Sequence, residues 1–243
     1  MKLFRIACLV AVALALLRNV SGQSFVNLNF ESAQVSGYAQ GTYIPFTNAL
    51  PGWNGYAISQ NSGKQLITQA YFNATQPLIG LPPQISLQTS NVTSVAPGFL
   101  PIQGNYSVLL QAALPGQSNA AIGQTGEIPT NAQTMTFLGA FEGQITFGGQ
   151  PILYSAIQNF TNYMLFAATI SQFAGQTGEL LFETSDTPES AMIGTLDDIQ
   201  FSSSPVPEPS ALSLFSICIL FLCWRMKRFS SKFVVRQNGW FGS

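Results

Sequence analysis

The chain has 243 residues and a formal net charge of −1, but the charges are sorted: residues 24–204 carry one basic residue, Lys64, against nine carboxylates, a net charge of −8. Such a field repels phosphate backbones, whose capture needs clustered Lys and Arg, so it excludes nucleic acid as a partner and favours divalent cations. Histidine is absent and cysteine occurs only at Cys8, Cys218 and Cys223, which removes the usual general base, the commonest zinc ligand and any disulfide between the two ends.

Residues 1–22 begin with Lys2 and Arg5, continue through an apolar stretch from Ile6 to Leu17, and end in small and polar residues. This is the layout of a secretory signal peptide, with cleavage expected after Gly22; the competing reading is a permanent signal anchor. Export is therefore expected.

Residues 23–204 are rich in Gln, Asn, Ser, Thr and Gly, with short apolar or alternating runs broken by Gly and Pro. That pattern predicts strands, not helices. In chain order they are Phe25–Phe30, Ile85–Gln88, Tyr106–Ala112, Ala120–Gln124, Thr134–Phe141, Gln144–Phe147, Tyr163–Thr169, Glu179–Glu183 and Leu196–Phe201. In Thr134–Phe141, Met135, Phe137, Gly139 and Phe141 fall on one face, as a half-buried strand requires. Glu142-Gly143-Gln144 reads as a tight hairpin turn and Phe147 to Pro151 as another break. The expected fold class is all-β, an antiparallel β-sandwich. The interval from Ser32 to Pro83 is the least regular, and loops of this kind carry specificity on a sandwich.

Within that interval, Asn48-Ala49-Leu50-Pro51-Gly52-Trp53 marks a turn that delivers an aromatic residue. Trp53 and Tyr56, with Asn54 and Gln60 nearby, have the composition of a platform on which a sugar ring stacks. The competing reading makes Trp53 a core plug. Near the other end, strict alternation puts Asp197 on the inward face with Ile199 and Phe201, and a buried carboxylate needs a partner. Glu142, Glu179, Glu183 and Glu189 are the acids that a glycoside hydrolase would need in pairs, but no supporting pattern accompanies them, and solvated surface acids explain them more simply. No catalytic residue is assigned.

The chain from Pro205 to Arg228 reads PVPEPSALSLFSICILFLCWRMKR: proline punctuation, an apolar stretch from Ala211 to Trp224, then Arg225, Lys227 and Arg228. About 20 apolar residues make a stable spanning helix, and this stretch is shorter, with basic residues that favour a cytoplasmic C-terminus. Val206-Pro207-Glu208-Pro209, the short transmembrane helix and the basic cluster together resemble a PEP-CTERM sorting signal. The resemblance implies a bacterial protein cut near the motif by an exosortase-type protease and delivered to the cell surface or an extracellular polysaccharide matrix. Residues 229–243 extend beyond the usual end of such signals and read as a cytoplasmic tail. The alternative is an ordinary membrane anchor.

FVNLNFES at Phe25 to Ser32 and GTLDDIQFS at Gly194 to Ser202 resemble the opening and closing strands of galactose-binding-like jelly rolls, the fold of many carbohydrate-binding modules. The resemblance implies a jelly roll, and implies that Glu31 and Asp197, with Asp198 completing the shell, supply oxygens to a structural calcium ion. The competing reading bonds Asp197 and Asp198 to backbone amides. Together these expectations describe a structural or adhesive surface protein that engages polysaccharide. A dedicated carbohydrate-binding module and a secreted carbohydrate-active enzyme are the alternatives.

Overall fold

The computed structural model describes residues 23–59, 61–74, 82–90, 100–113, 118–184 and 193–206. The signal-peptide segment 1–22, the sorting-signal residues Pro207, Glu208, Pro209, Arg225, Lys227 and Arg228, and the tail 229–243 lie outside the described residues, and Val206 is the last residue within them. No helix among the described residues is long and apolar enough to cross a membrane.

The described strands form two sheets. The strands are β1 (Thr42–Pro45), β2 (Asn54–Ser59), β3 (Gly63–Ile67), β4 (Gln69–Phe72), β5 (Gln84–Thr89), β6 (Tyr106–Gln111), β7 (Asn119–Glu127), β8 (Thr134–Ala140), β9 (Gly143–Phe147), β10 (Gln150–Pro151), β11 (Tyr154–Asn159), β12 (Met164–Thr169), β13 (Thr177–Thr184) and β14 (Ile193–Ser202). One sheet has the order β1-β4-β5-β6-β14-β8-β12-β11, the other β10-β9-β13-β7-β2-β3. All pairings are antiparallel except β4 with β5, which run parallel, so the expectation of a purely antiparallel sandwich is corrected at that pair. A one-turn helix, α1 (Phe46–Ala49), follows Pro45 and closes through the Leu50 N–H on the Phe46 carbonyl at 2.8 Å.

The two sheets share one apolar core. Ile85, Leu87, Val108, Leu110, Met135, Phe137 and Leu196 from the larger sheet meet Ile122, Ile145, Phe147, Leu180 and Phe182 from the smaller. Phe137 is the hub: its ring stacks on Phe166 at 4.9 Å and meets Phe182, across the sandwich, edge-on at 5.6 Å. Offset and edge-to-face rings add to the burial of large apolar area. In β8 the inward residues Met135, Phe137 and Gly139 are buried while Thr136, Leu138 and Ala140 are half-exposed, the alternation expected from the sequence.

Three expectations need correction. Phe25–Phe30 is a turn, not a strand: Asn27 and Phe30 adopt left-handed φ of 51° and 59°, and Asn27 takes the Ser32 N–H at 2.9 Å and donates to the Pro51 carbonyl at 3.0 Å. Side-chain amides that bond backbone in this way compete with a ladder. The isolated bridge next to this turn pairs Ser24, just before the segment, with Glu127. Next, Glu142-Gly143-Gln144 is no hairpin, because β8 lies in the larger sheet and β9 in the smaller. The Tyr154 hydroxyl fixes this crossover, donating to the Gly143 carbonyl at 2.9 Å and accepting its N–H at 3.1 Å. Finally, the loop-like interval from Ser32 to Pro83 contains β1 to β4. The expected break at Phe147 to Pro151 holds, as a two-residue turn whose Gly148 and Gly149 have φ of 56° and 79°, the left-handed pair that such turns demand.

Candidate functional site

Trp53 and Tyr56 do not form a platform. Trp53 is 3 % exposed: its indole N–H donates to the Asn27 carbonyl at 3.0 Å, and its ring packs on Phe30 at 5.6 Å and Phe182 at 6.4 Å. It is the core plug, and the stacking expectation is corrected for it. Tyr56 lies on the other side of β2. There Gly55 faces the core, against Phe46 and Ile85, and Tyr56 faces outward. Its ring is already covered by the Lys64 ammonium at 3.7 Å from the centroid. Lys64 reaches over Tyr56 to the Glu179 carboxylate, at 2.6 and 2.5 Å from its two oxygens. Burial, the Glu179 charge and a hydrogen bond to it push the Tyr56 hydroxyl up to about 12. The cluster therefore ties β3, β2 and β13 together across the smaller sheet, and the lone cation of the acidic region is spent there. Glu183, four residues on, accepts from the Asn119 amide at 2.8 Å.

Glu31, Asp197 and Asp198 do come into one neighbourhood, around residues 103–106. Strict alternation fails in β14: Asp197 pairs with Leu138 and Gln200 with Thr136, so one extra residue is inserted, and Asp198 takes a φ of 45°. This bulge lets Leu196 and Ile199 both point into the core, and it puts Asp197 on the opposite face from Ile199 and Phe201, which corrects the expected inward placement. Asp197 is nevertheless 1 % exposed. One carboxylate oxygen takes the Asp198 N–H at 2.7 Å and the other the Gln103 N–H at 2.8 Å. Burial outweighs these bonds and, with the charges of Asp198 and Glu31, raises the group to about 7. Glu31 accepts the N–H groups of Asn105 at 2.8 Å and Tyr106 at 3.0 Å on one oxygen, and the Asn105 side-chain amide at 2.9 Å on the other. The backbone can come this close because residue 104 is glycine, with φ 64° and no Cβ to strike the carboxylate.

This donor set suits calcium in kind, being hard oxygen. In placement, no three Asp, Glu, Cys or His among the described residues are grouped closely enough to hold a metal ion, and N–H donors face the carboxylates of Glu31 and Asp197.

A concave feature among the described residues lies at a different place: an open depression of about 550 Å³ lined by Gln34, Ser36, Gly37, Tyr38 and Asn48. The segment after Ser32 is pinned to α1 by the Gln34 N–H on the Asn48 carbonyl at 2.8 Å. It then turns back, the Tyr38 N–H meeting the Val35 carbonyl at 3.2 Å, with Gly37 at φ 88°. Tyr38 is exposed, and its hydroxyl accepts from the Asn48 amide at 3.4 Å. The lining is uncharged: two carboxamides, a hydroxyl and one phenol ring. Sequence reading missed Tyr38, although the glycines at 37 and 41 that bracket it, inside the interval expected to carry specificity, were the available signal.

No family model and no curated protein matches the chain. Among solved structures, a family 11 carbohydrate-binding module from Clostridium thermocellum, in complex with a β-1,3-1,4-mixed-linked tetrasaccharide, is similar over 69 % of this chain and 99 % of that chain, at 9 % identity and a TM-score of 0.34. Similarity at that level decides neither the topology nor the ligand.

Proposed function

We propose that this chain is an exported structural or adhesive protein of the bacterial surface or extracellular matrix, a jelly-roll-type sandwich that engages neutral polysaccharide and performs no catalysis. The observation that carries the ligand class is the uncharged depression at Gln34, Ser36, Tyr38 and Asn48. Carboxamides and hydroxyls match the hydroxyls of a sugar in both donating and accepting senses, and an exposed tyrosine offers a face for the ring's C–H side. An anionic glycan is disfavoured by the net charge of −8.

The address rests on the two ends. Pro207, Glu208 and Pro209, followed by the short apolar stretch and Arg225, Lys227 and Arg228, are the elements that an exosortase-type protease would read, with the membrane holding the chain before cleavage. Calcium at Glu31, Asp197 and Asp198 is left out of this reading, because among the described residues these carboxylates are not grouped closely enough to hold the ion and those of Glu31 and Asp197 face N–H donors.

A glycan array probed with the full chain tests the ligand. Binding to neutral polysaccharide is expected, and Tyr38→Ala is expected to weaken it by about tenfold or more, the scale of a lost stacking and hydrogen-bonding anchor. Binding untouched by Tyr38→Ala would move the site elsewhere, and turnover of a polysaccharide would revive the enzyme. The address is tested by fractionation, in which the polypeptide is expected outside the cytoplasm and shortened at both ends. An intact chain free in the cytosol would refute export.

A further inference from the structure

We propose that the free edge of β11 is the docking surface for a second copy of this chain, β11 against β11 about a two-fold axis near Ile157. Each sheet has two edges, and an exposed edge is a template for pairing that proteins guard with proline, lysine, shortness or charge. Among the described residues, three of the four edges are guarded. Pro45 lies in β1, Lys64 lies in β3, and β10 is two residues long and ends in Pro151. β11 has neither proline nor charge, and its five residues from Ser155 to Asn159 are all exposed. Apolar side chains stand along it: Leu153 is 87 % exposed, Ile157 is 40 % exposed, and Phe160 at the following turn stacks on Tyr163 at 4.6 Å.

Charge selects the occupant. Residues 143–178, which include β9 to β12, contain no charged residue, in a region whose net charge is −8. A partner of different chemistry would be recruited to this protein through a basic surface meeting those carboxylates. A two-fold contact instead sets each residue against its own copy, so any charge in it meets a like charge. An uncharged strip on an acidic molecule is where two copies approach without that repulsion. The ladder of β11 on β12 shifts register between Ala156 and Gln158, with Ile157 as the extra residue. That bulge shortens the stretch available for pairing, and the two-fold contact uses up the one unguarded edge among the described strands, so association stops at two copies instead of growing into a fibre.

Sedimentation velocity of the full chain in one detergent, across a concentration series, tests this. A reversible monomer–dimer equilibrium is expected. Ile157→Lys and Ile157→Glu should each weaken it by about tenfold or more, and an equimolar mixture of the two should recover it, because opposite charges then face each other across the axis. Leu66→Lys, at a still more open position on β3 (62 % exposed), should leave it unchanged. Leu153→Lys, outside the strand, should weaken dimerisation with an unaltered melting temperature, which separates lost docking from lost folding. A wild type that stays monomeric at every concentration, a mixture that fails to recover, or a Leu66→Lys effect equal to that of Ile157→Lys would overturn the proposal.

Discussion

Asp197 carries a cost that depends on solution conditions. Its carboxyl is raised from 3.8 to about 7, chiefly by burial, with two backbone N–H donors opposing and Asp198 and Glu31 adding to the shift. A carboxyl raised on folding binds more protons in the native state, so its protonated form is accommodated below about pH 4 and stability falls as pH climbs toward 7. At roughly 1.4 kcal/mol per unit, the difference is on the order of 4 kcal/mol across that window. Thermal melts of wild type and Asp197→Asn in chelator are therefore expected to diverge with rising pH, the variant gaining on the wild type between about pH 4 and 7. A constant gap would mean that the carboxyl does not titrate there. Calcium, with no grouped ligand set at this cluster, is expected to leave the gap unchanged. A gap that calcium narrows would place the ion here, since a bound cation replaces the missing proton.

Elements were legible where a strand buries a run of apolar residues, on one face as in β8 or at nearly every position as in β5 and β6. β8 shows its alternation openly, and β5, β6, β7, β9, β12, β13 and β14 lie where short apolar runs placed them. Most of the missed strands are of another kind, although β4 buries Ala70 and Phe72 in alternation and is too short, at four residues, to show a period. β3 is mostly exposed and β11 nearly so, and β1 has a single buried residue, Ile44; hydrophobic period has nothing to register on a strand that buries almost nothing. The hairpin assigned at Glu142 to Gln144 failed because proximity in sequence does not say which sheet receives the next strand. Gly143 stands in a tight site at that crossover: a Cβ there would run into the Glu183 backbone carbonyl and the Phe141 ring. Gly143→Ala is expected to cost about 1–3 kcal/mol, the range for overpacking a tight site, lowering the melting temperature by about 2–4 °C for each kcal/mol. An unchanged melt would show that β9 can shift aside. The candidate depression was hidden for a related reason, since Tyr38 is placed by turns and by Asn48, contacts that no periodicity announces.

At the scale of the whole molecule, residues far apart in sequence meet at the turn near the N-terminus. The Ile199 N–H reaches the Leu28 carbonyl at 3.0 Å, the Val26 N–H and carbonyl are gripped by the Gln124 side chain at 2.6 and 3.0 Å, and Phe25 lies against Phe201 at 5.5 Å. The run Phe25–Phe30 predicts a strand because alternation alone cannot distinguish a ladder from a knot of turns. Closing loops of this span is entropically slow compared with local pairing. The turn at residues 25–30 therefore locks only once β14 is in place, which makes it a late seal on pairings that form locally.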